Sequence, residues 1–577
     1  MFYIFVKKNM ITLFKRFFSF LVKQVVKSTI LLLTASIIVV IVLVVISPKK
    51  NSLPDKFTLI IDITDLADTD QCKGIDALIE NKKCFTLQQV TSTLKHAESN
   101  DKVTDVIINF KNQKSNLSNY QSLAYAIQSL AQKKSVTVYS ENYNLHAYLA
   151  GSGASKIILH PTGYLEMKGL GFQLLYFNTL LKSLGLEVEP IRAGKYKSAV
   201  EPFILDSMTV ENKYQLTQLS NGIWQGVKSL IIENRKLKKN ILDDIANTKG
   251  YLMPNEALEY GLVDSLGFYN DLVGDIEDYA DLNSYIEYYQ DEINPVLDQK
   301  IAVLVLDGSI GNTSADDNIN ANLVIENLKE ITSDSTIKAL VLRINSPGGS
   351  AQESETIFRE LQKLKIPFYV SMGQVAASGG YYIAMGSQKI FAQNTSITGS
   401  IGVYGMMINM GKLNQKIGIS YQKVSTHNLS SFPALDRPFT DLERERLQLG
   451  VDSIYELFLN RVATSRKLSR DSVFSLAQGR VWCGVDAKKV GLIDEIGDLN
   501  STINYVKNQQ KNIDYSIVYY PKQKGFIEDI KTSLGSAEMK IKLPNYLQEV
   551  VNYSYDLNQI MQHNSIQMRL PYQIKID

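Results

Sequence analysis

The stretch Gln374-Val-Ala-Ala-Ser-Gly-Gly-Tyr-Tyr382 sets Ser378 among small residues. Small neighbours leave room for a substrate carbonyl group to approach the Ser378 hydroxyl, and the two glycines that follow allow the backbone to turn an N–H group toward that carbonyl. The stretch is not a G-x-S-x-G nucleophile elbow, because Ala376 stands where the first glycine would be. Taken alone, Ser378 has two interpretations: a catalytic nucleophile, or a serine that starts a turn or a helix.

A second glycine pair upstream indicates a strand, a tight turn and a helix. Arg343-Ile-Asn-Ser-Pro-Gly-Gly-Ser350 directly follows the apolar run Ala339–Leu342. A Pro-Gly-Gly turn in this position can direct backbone N–H groups toward an oxyanion. In the rest of the chain after the first fifty residues, short apolar runs alternate with longer helical patterns, which predicts an α/β fold.

The second half of the chain resembles the first. Asp105-Val-Ile-Ile108 matches Lys338-Ala-Leu-Val341 at an offset of 233 residues, and Gly261-Leu-Val-Asp264 matches Gly491-Leu-Ile-Asp494 at an offset of 230. A repeat of this length predicts two tandem α/β domains, each built on a mostly parallel sheet.

The repeat also suggests boundaries. We expect the first domain at residues 56–295 and the second at residues 300–520. Residues 521–577 match neither repeat well and form a C-terminal extension, which we expect to be solvated periphery. Capping of the second domain, contact with a neighbouring subunit and contact with a membrane are the alternatives for this extension.

The two halves differ at their reactive positions. Subtracting the offset of 233 from Ser378 gives Leu145, and adding it to Lys197 gives Ser430. Each half therefore has a reactive residue that the other lacks. This pattern favours one composite site over two independent sites.

The charge of the chain is divided unevenly between its start and its body. Residues 1–50 hold eight of the 61 Lys and Arg and none of the 59 Asp and Glu, so the rest of the chain is net acidic. An acidic body argues against nucleic acid as a partner. Hydrophobic residues make up 45% of the 577 residues and charged residues 21%, which is typical of a globular protein with a good core.

The basic start flanks an apolar run. Residues 25–46 reach the length of about 20 residues that a transmembrane helix needs, and their last ten are only Ile, Val or Leu. The excess of Lys and Arg before the run places the N-terminus in the cytoplasm and the later residues across the membrane. No cleavage signal follows, so we predict an uncleaved anchor. For the basic and aromatic residues 1–24, one interpretation is an amphipathic helix on the inner membrane surface.

The cysteines and histidines do not indicate a metal site. Cys72 and Cys84 lie in the part placed outside the cytoplasm, where a disulfide is chemically reasonable, but their spacing does not establish one. Cys483 has no obvious partner. No CxxC pair occurs and the five histidines are scattered, so no metal and no cofactor is expected.

Four motifs in order resemble those of the bacterial signal peptide peptidase family in its long, duplicated form, and the resemblance covers nearly the whole chain. The motifs are Gly194-Lys-Tyr-Lys-Ser-Ala-Val-Glu-Pro-Phe203, Asn345-Ser-Pro-Gly-Gly349, Ala376-Ala-Ser-Gly-Gly-Tyr381 and Thr398-Gly-Ser-Ile-Gly402. The resemblance implies a fold related to Clp protease and crotonase, built from repeated ββα spiral units. It also implies a Ser–Lys dyad with Ser378 as the nucleophile and Lys197 as the general base.

The chemistry of such a dyad restricts the surroundings of the lysine. A serine hydroxyl becomes a good nucleophile only when a base takes its proton. An amine can act as that base only if its pKa falls from about 10.4 toward about 7–8, and burial among apolar groups supplies this shift. The residues around Lys197 allow an apolar setting, whereas Lys195 would be an ordinary solvated lysine and Glu201 is expected to face away from the amine.

Two further roles complete the predicted site. Ser400 resembles the family serine that hydrogen-bonds the lysine, although a Gly-Ser-Ile-Gly turn also has a purely structural explanation. Backbone N–H groups of Gly348 or Gly349 and of Gly379 are the predicted oxyanion donors.

The resemblance implies a serine endopeptidase of the bacterial inner membrane with periplasmic catalytic domains. Its substrates would be the remnant signal peptides left in the membrane after processing, bound as extended strands. Family members form rings or bowls, so a homo-oligomer is expected, with a tetramer as the favoured size. Whether the two reactive side chains meet within one protomer or between protomers is left open by the sequence.

Two other functions fit part of the pattern. A crotonase-type acyl-CoA enzyme shares the fold and the glycine-built oxyanion site, but it needs neither a Ser–Lys pair nor a membrane anchor. A catalytically silent membrane scaffold would not need Ser378 and Lys197 in complementary halves.

Overall fold

The computed structural model describes residue 34 and residues 53–64, 66–68, 85–111, 113, 115–311, 318–509, 513–522 and 567–570. The chain divides into the units Met1–Leu53 and Pro54–Asp577, and every strand and helix named below belongs to the second unit. Apart from Thr34, the predicted segments 1–24 and 25–46 lie outside the described residues, as do Cys72 and Cys84. Within the described ranges, no helix has the length and apolar character needed to cross a bilayer.

The first half of this unit alternates strands and helices. Its strands are β1 (Phe57–Ile63), β2 (Leu66–Ala67), β3 (Phe85–Thr86), β4 (Val103–Phe110), β5 (Ser135–Ser140), β6 (Lys156–Leu159), β7 (Leu165–Glu166), β8 (Glu187–Ala193), β9 (Tyr251–Leu252), β10 (Ser265–Leu266) and β11 (Tyr279–Asp281). Its helices are Leu87–Ser99, Leu117–Ala131, Leu145–Gly151, Asn178–Leu184, Glu201–Ile204, Val210–Arg235, Ile241–Thr248, Pro254–Glu259, Tyr269–Val273, Leu282–Tyr288 and Gln290–Ile293, with a 3-10 turn at Ser198–Val200.

The second half repeats the alternation. Its strands are β12 (Lys300–Asp307), β13 (Ser309–Ile310), β14 (Asn318–Ile319), β15 (Ile337–Ser346), β16 (Gly348–Ser350), β17 (Phe368–Ala377), β18 (Ile390–Ala392), β19 (Ile397–Gly399), β20 (Val403–Asn409), β21 (Val481–Cys483), β22 (Glu495–Ile496), β23 (Ser516–Tyr520) and β24 (Gln567–Arg569). Its helices are Ala321–Ser333, Ala351–Gln362, Gly379–Ala384, Gly411–Lys416, Asp441–Arg466, Arg470–Leu476, Gly484–Lys489 and Leu499–Gln509.

Each half has a parallel sheet with the same strand order. The first sheet runs β10-β6-β5-β4-β1-β11, and the matching part of the second runs β22-β18-β17-β15-β12-β23. The central strands are mostly apolar, because helices cover both faces of a parallel sheet. In β15, for example, the side chains from Ala339 to Ile344 are all buried.

The same fixed contacts recur in both halves. Tyr148 donates from its hydroxyl to the Leu262 carbonyl at 2.7 Å, and Tyr381 donates to the Leu492 carbonyl at 2.9 Å. Ion pairs of 2.7 Å join Arg235 to Asp264 in the first half and Arg466 to Asp494 in the second. The duplicated α/β organisation is therefore confirmed, while the domain boundaries at residues 56–295 and 300–520 stay a prediction.

A third sheet joins the halves, in the order β14-β13-β16-β24-β20-β8. Within it, β8 of the first half pairs antiparallel with β20 of the second along seven residues of each strand, from Val403 opposite Ala193 to Asn409 opposite Glu187. This pairing brings the end of β8, which leads into Lys197, next to the loops that carry Ser378 and Ser400.

The C-terminal extension differs from expectation where it is described. Residues 567–570 are not solvated periphery: Gln567, Met568 and Leu570 are buried, and β24 lies inside the joining sheet. The reason is that β16 and β20 lie on either side of β24 and both pair with it, so these few residues gain a backbone ladder that sequence matching to the repeats could not reveal.

Candidate active site

Lys197 lies in the turn between β8 and the Ser198–Val200 turn. This turn packs against the second half, because the Tyr196 N–H donates to the Gln478 carbonyl at 2.8 Å and a Cβ atom added to Gly479 would lie 2.7 Å from the Lys197 nitrogen. The Lys197 side chain has no exposed surface, whereas Lys195 is exposed. The motif therefore presents one buried amine and one solvated amine.

Ser378 lies at the bend between β17 and the helix Gly379–Ala384. Its backbone angles, φ 56° and ψ −114°, are rare for a residue with a side chain and indicate local strain. The bend is fixed by a hydrogen bond of 2.8 Å from the Ser378 N–H to the Gly399 carbonyl. The Ser378 hydroxyl makes no capping hydrogen bond to the helix that follows, so it is free for another partner.

That partner is the Lys197 amine. Lys197 Nζ lies 2.8 Å from Ser378 Oγ, and it also lies 3.0 Å from Ser400 Oγ and 3.3 Å from the Ser400 carbonyl oxygen. Ser378 and Ser400 are fully buried. The structure thus brings the three predicted side chains together within a single chain.

Burial sets the charge of the amine. Removal of Lys197 from water lowers its pKa well below the usual lysine value, because the ammonium form loses its hydration. Glu201 does not counteract this shift, since its carboxylate accepts hydrogen bonds from the Thr209 hydroxyl at 2.6 Å and from Asn212 Nδ2 at 2.9 Å. The arrangement therefore favours a neutral amine beside the serine hydroxyl.

The three predicted oxyanion glycines, Gly348, Gly349 and Gly379, differ in their backbone contacts. The Gly348 N–H donates to Ser346 Oγ at 3.1 Å within its own turn, so this predicted oxyanion donor is already engaged. A Cβ atom added to Gly348, whose φ is +95°, would lie 2.7 Å from the Gly379 nitrogen. Only a glycine leaves this space open for a carbonyl oxygen.

Gln215 is a residue that the sequence did not single out. It lies on the helix Val210–Arg235, is buried, and donates from Nε2 to the Tyr196 carbonyl at 3.0 Å and to Ser198 Oγ at 3.1 Å. It thereby holds the turn around Lys197. A glutamine in a long helix carries no signal for this role, because the contact forms only after the chain folds.

The sequence repeat places Leu145 at the position of Ser378 and Ser430 at the position of Lys197. The helices that follow the corresponding strands begin at Leu145 and at Gly379, so Asn144 rather than Leu145 is the structural counterpart of Ser378. Asn144 caps its helix by accepting from the Ala147 N–H at 2.9 Å. Ser430, which occupies the repeat position of Lys197, lies on an exposed loop. The one-residue difference follows from a small shift in the repeat offset between these elements.

Two family models match the chain. The model of Peptidase family S49 matches residues 128–283 and 360–514, one segment in each half and together more than half of the chain. The chain belongs to peptidase family S49. A Clp protease model matches residues 296–399. The S49 match confirms the predicted kind of enzyme, a serine peptidase.

Individual relatives of this S49 peptidase support the assignment. Protease 4 of Haemophilus influenzae is 34% identical over 422 residues, which are 67% of this chain and 68% of that protein. Protease 4 of Salmonella typhi is 29% identical over 500 residues, which are 82% of this chain and 79% of that protein. A shorter match, 34% over 230 residues, covers 38% of this chain and 67% of the "Putative signal peptide peptidase SppA" of Enterococcus faecium.

Proposed function

We propose that this S49 peptidase cuts peptide bonds with a Ser–Lys dyad, in which Ser378 is the nucleophile and Lys197 is the general base. The observation that carries the proposal is the distance of 2.8 Å between Lys197 Nζ and Ser378 Oγ, in a setting where burial lowers the lysine pKa. A neutral amine at hydrogen-bond distance can accept the hydroxyl proton as the serine oxygen attacks a carbonyl carbon.

The remaining groups supply the rest of an acyl-transfer site. The Gly349 and Gly379 N–H groups would hold the oxyanion, and loss of one such donor typically costs about 3 kcal/mol of transition-state stabilisation. The lysine ammonium then returns the proton to the leaving amine. Water, activated by the neutral lysine, hydrolyses the serine ester and completes the reaction.

Ser400 has a positioning role in this proposal. Its hydroxyl and carbonyl oxygens lie 3.0 Å and 3.3 Å from Lys197 Nζ, on groups that can accept N–H hydrogen bonds from the amine. Holding the N–H hydrogens there leaves the nitrogen lone pair directed at Ser378.

For substrate and location we propose remnant signal peptides and the bacterial inner membrane. The name of the Enterococcus relative and the four motifs support the substrate class, and the apolar run at residues 25–46 with its basic flank supports a single-pass anchor with the catalytic unit in the periplasm. The resemblance to ring-forming relatives supports a homo-oligomer, with a tetramer as the proposed size. Light scattering of the detergent-solubilised chain tests that size.

The decisive experiment measures peptide hydrolysis by variants of the full chain. Ser378→Ala and Lys197→Arg should each lower kcat/KM by about 10²–10⁴-fold or more. The first variant removes the nucleophile, and the second replaces the amine with a guanidinium group that cannot lose its proton. Lys195→Arg is the matched control and should keep near-normal activity. Retention of hydrolysis by Lys197→Arg at neutral pH would refute the dyad. Folded, oligomeric chains with no hydrolysis in the wild type would favour the scaffold, and thioester turnover would favour the acyl-CoA enzyme.

A further inference from the structure

The side chain of Arg480 lies in the loop before β21, at the contact between the two halves. Its guanidinium carbon Cζ is 4.0 Å from the centroid of the Trp482 ring. It is also 5.4 Å from the ring centroid of Tyr214 and 5.9 Å from that of Tyr196. Trp482 belongs to the second half, whereas both tyrosines belong to the first. The arginine therefore joins aromatic side chains of both halves.

These contacts are cation–π interactions. A guanidinium group is planar, always charged and weakly hydrated, so it stacks well on aromatic faces within about 6 Å. Arg480 Nε is buried and has no hydrogen-bond partner among the described residues. The rings, rather than a hydrogen bond from Nε, therefore hold the guanidinium group. We call Tyr196, Tyr214, Arg480 and Trp482 the aromatic clamp.

The aromatic clamp reaches the general base through its two tyrosines. Tyr196 directly precedes Lys197, and its backbone N–H donates to the Gln478 carbonyl at 2.8 Å. Tyr214 directly precedes Gln215, whose side-chain amide donates to the Tyr196 carbonyl at 3.0 Å. Both aromatic residues of the first half are therefore next to the backbone groups that fix the base.

The aromatic clamp reaches the two serines through the second half. The Arg480 carbonyl accepts from the Ser400 N–H at 2.7 Å. A Cβ atom added to Gly399 would lie 2.7 Å from Trp482 Cδ1, so the indole packs directly on this glycine. The Gly399 carbonyl in turn accepts from the Ser378 N–H at 2.8 Å. Arg480 thus connects the supports of the base, of the serine that orients it and of the nucleophile.

The sequence repeat shows that the fold alone does not require this arginine. At the offset of 230 residues, Gly250 and Leu252 of the first half occupy the positions of Arg480 and Trp482. In both halves these positions lie at the same short antiparallel strand pair, β7 with β9 and β19 with β21. The half that lacks the nucleophile therefore also lacks the arginine and the tryptophan.

We propose that Arg480 is a positioning residue of the Ser–Lys dyad, and that its guanidinium group holds the aromatic clamp together so that Lys197 and Ser378 stay at reacting distance. The proposal rests on the proposed function, since it assumes that these two side chains carry the reaction. Because the clamp supports the reacting groups rather than the peptide, its loss is expected to appear in kcat and not in KM.

The test measures peptide hydrolysis by variants of the full chain. Arg480→Ala should lower kcat about tenfold, which corresponds to about 1.4 kcal/mol of the barrier, while KM changes less than about twofold. Arg470→Ala is the matched control and should keep a normal kcat. Arg470 Cζ also lies over an aromatic ring, 5.3 Å from the centroid of Phe474, but outside the clamp.

Chemical rescue separates positioning from a general loss of stability. Tyr214 is 47% exposed, so the space left by the arginine side chain is open to solvent. Methylguanidinium at millimolar concentrations can enter this space and should raise the kcat of Arg480→Ala at least about threefold, in a saturable manner. Sodium chloride at the same ionic strength should not raise it, and methylguanidinium should not raise the kcat of the wild type.

A second variant covers the case in which Arg480→Ala does not fold. Arg480→Lys keeps the charge but loses the planar group that stacks on several rings, so its kcat should fall about threefold. Circular dichroism verifies that each variant is folded. A wild-type kcat in Arg480→Lys, a wild-type kcat in Arg480→Ala, or a loss in Arg480→Ala that methylguanidinium does not rescue would overturn the positioning role. Hydrolysis by Lys197→Arg would instead refute the dyad itself.

Discussion

At the residue scale, the buried amine of Lys197 dominates the proposed site. Burial lowers the pKa of Lys197. Between this folded-state pKa and the usual lysine value of about 10.4, the unfolded chain therefore binds one more proton than the folded chain. Stability contributed through this group therefore rises with pH across that window. Below the folded pKa both states carry the proton, and the cost of the buried charge is fully present.

This linkage gives a prediction for Lys197→Met. The methionine variant should have the higher free energy of unfolding at neutral pH, because it removes the cost of keeping an amine out of water. As pH rises, the free energy of unfolding of the wild type should increase relative to that of the variant by up to about 1.4 kcal/mol per pH unit. Denaturant titrations of both proteins from pH 6 to 10 measure the difference, and a difference independent of pH would contradict the burial argument. Hydrolysis by the wild type should rise with pH as the amine loses its proton.

Ser400 allows a second prediction at this scale. Ser400→Ala removes the hydroxyl that lies 3.0 Å from the amine, so we expect kcat to fall by roughly tenfold or more while KM changes little. Ser396→Ala is the control, since Ser396 is equally buried but bonds only to backbone, donating to the Gly373 carbonyl at 2.7 Å and accepting from the Gln393 N–H at 3.1 Å. Steady-state kinetics should show the loss of kcat in the first variant alone. Similar losses in both would indicate a structural role.

At the element scale, the loop before β21, which contains Gly479, packs directly against the turn that carries Lys197. Gly479 has φ +77°, and a Cβ atom there would lie 2.7 Å from backbone and side-chain atoms of Lys197. Gly418 has nearly the same φ, +80°, but open space around it. An alanine at either position would strain the backbone, but only an alanine at Gly479 would also displace the turn that carries Lys197. Comparing the two variants therefore distinguishes these two effects.

We expect Gly479→Ala to lose most of its hydrolysis, and Gly418→Ala to keep it. Each change costs about 1 kcal/mol of backbone strain in the left-handed region, but only the first forces Lys197 away from Ser378. Activity is compared with the free energy of unfolding of each variant. If both variants lost equal activity, or Gly479→Ala kept normal rates, the packing of this loop would not be what positions the amine.

At the scale of the whole molecule, polar groups buried between the halves hold the composite site together. Gln393 Nε2 donates to Ser122 Oγ at 2.8 Å, and Thr395 Oγ1 donates to Gln121 Oε1 at 2.7 Å. Arg343 of β15, fully buried, pairs with Asp68 at 3.1 Å. Because neither half could satisfy these groups alone, the halves are expected to fold as one cooperative unit.

Substitutions at the buried Arg343–Asp68 ion pair are predicted to change the free energy of unfolding. Arg343→Met leaves the Asp68 carboxylate buried without its cation and should lower the free energy of unfolding by about 3–5 kcal/mol. The double variant Arg343→Met with Asp68→Leu should recover much of that loss, because it leaves no unpaired buried charge at this position. Chemical denaturation of the single and double variants checks the expected coupling. A double variant no more stable than the single one would contradict it.

Local residue patterns were sufficient to predict the fold class, the duplication and the identity of the reactive side chains. Apolar runs and helical periodicity gave the α/β class, internal matching gave the duplication, and four short motifs gave the family and named Ser378, Lys197 and Ser400. These signals survive in sequence because strands, helices and tight glycine turns each impose their own residue preferences on neighbouring positions.

Contacts between residues that are distant in the sequence became visible only in the folded chain. The contact between Lys197 and Ser378 within one chain, the support of the lysine turn by Gln215 and Gly479, and the place of Gln567–Leu570 in the joining sheet all join residues far apart in the chain. No local preference encodes such contacts, because they arise from the pairing of β8 with β20 and from backbone hydrogen bonds that any residue except proline can donate.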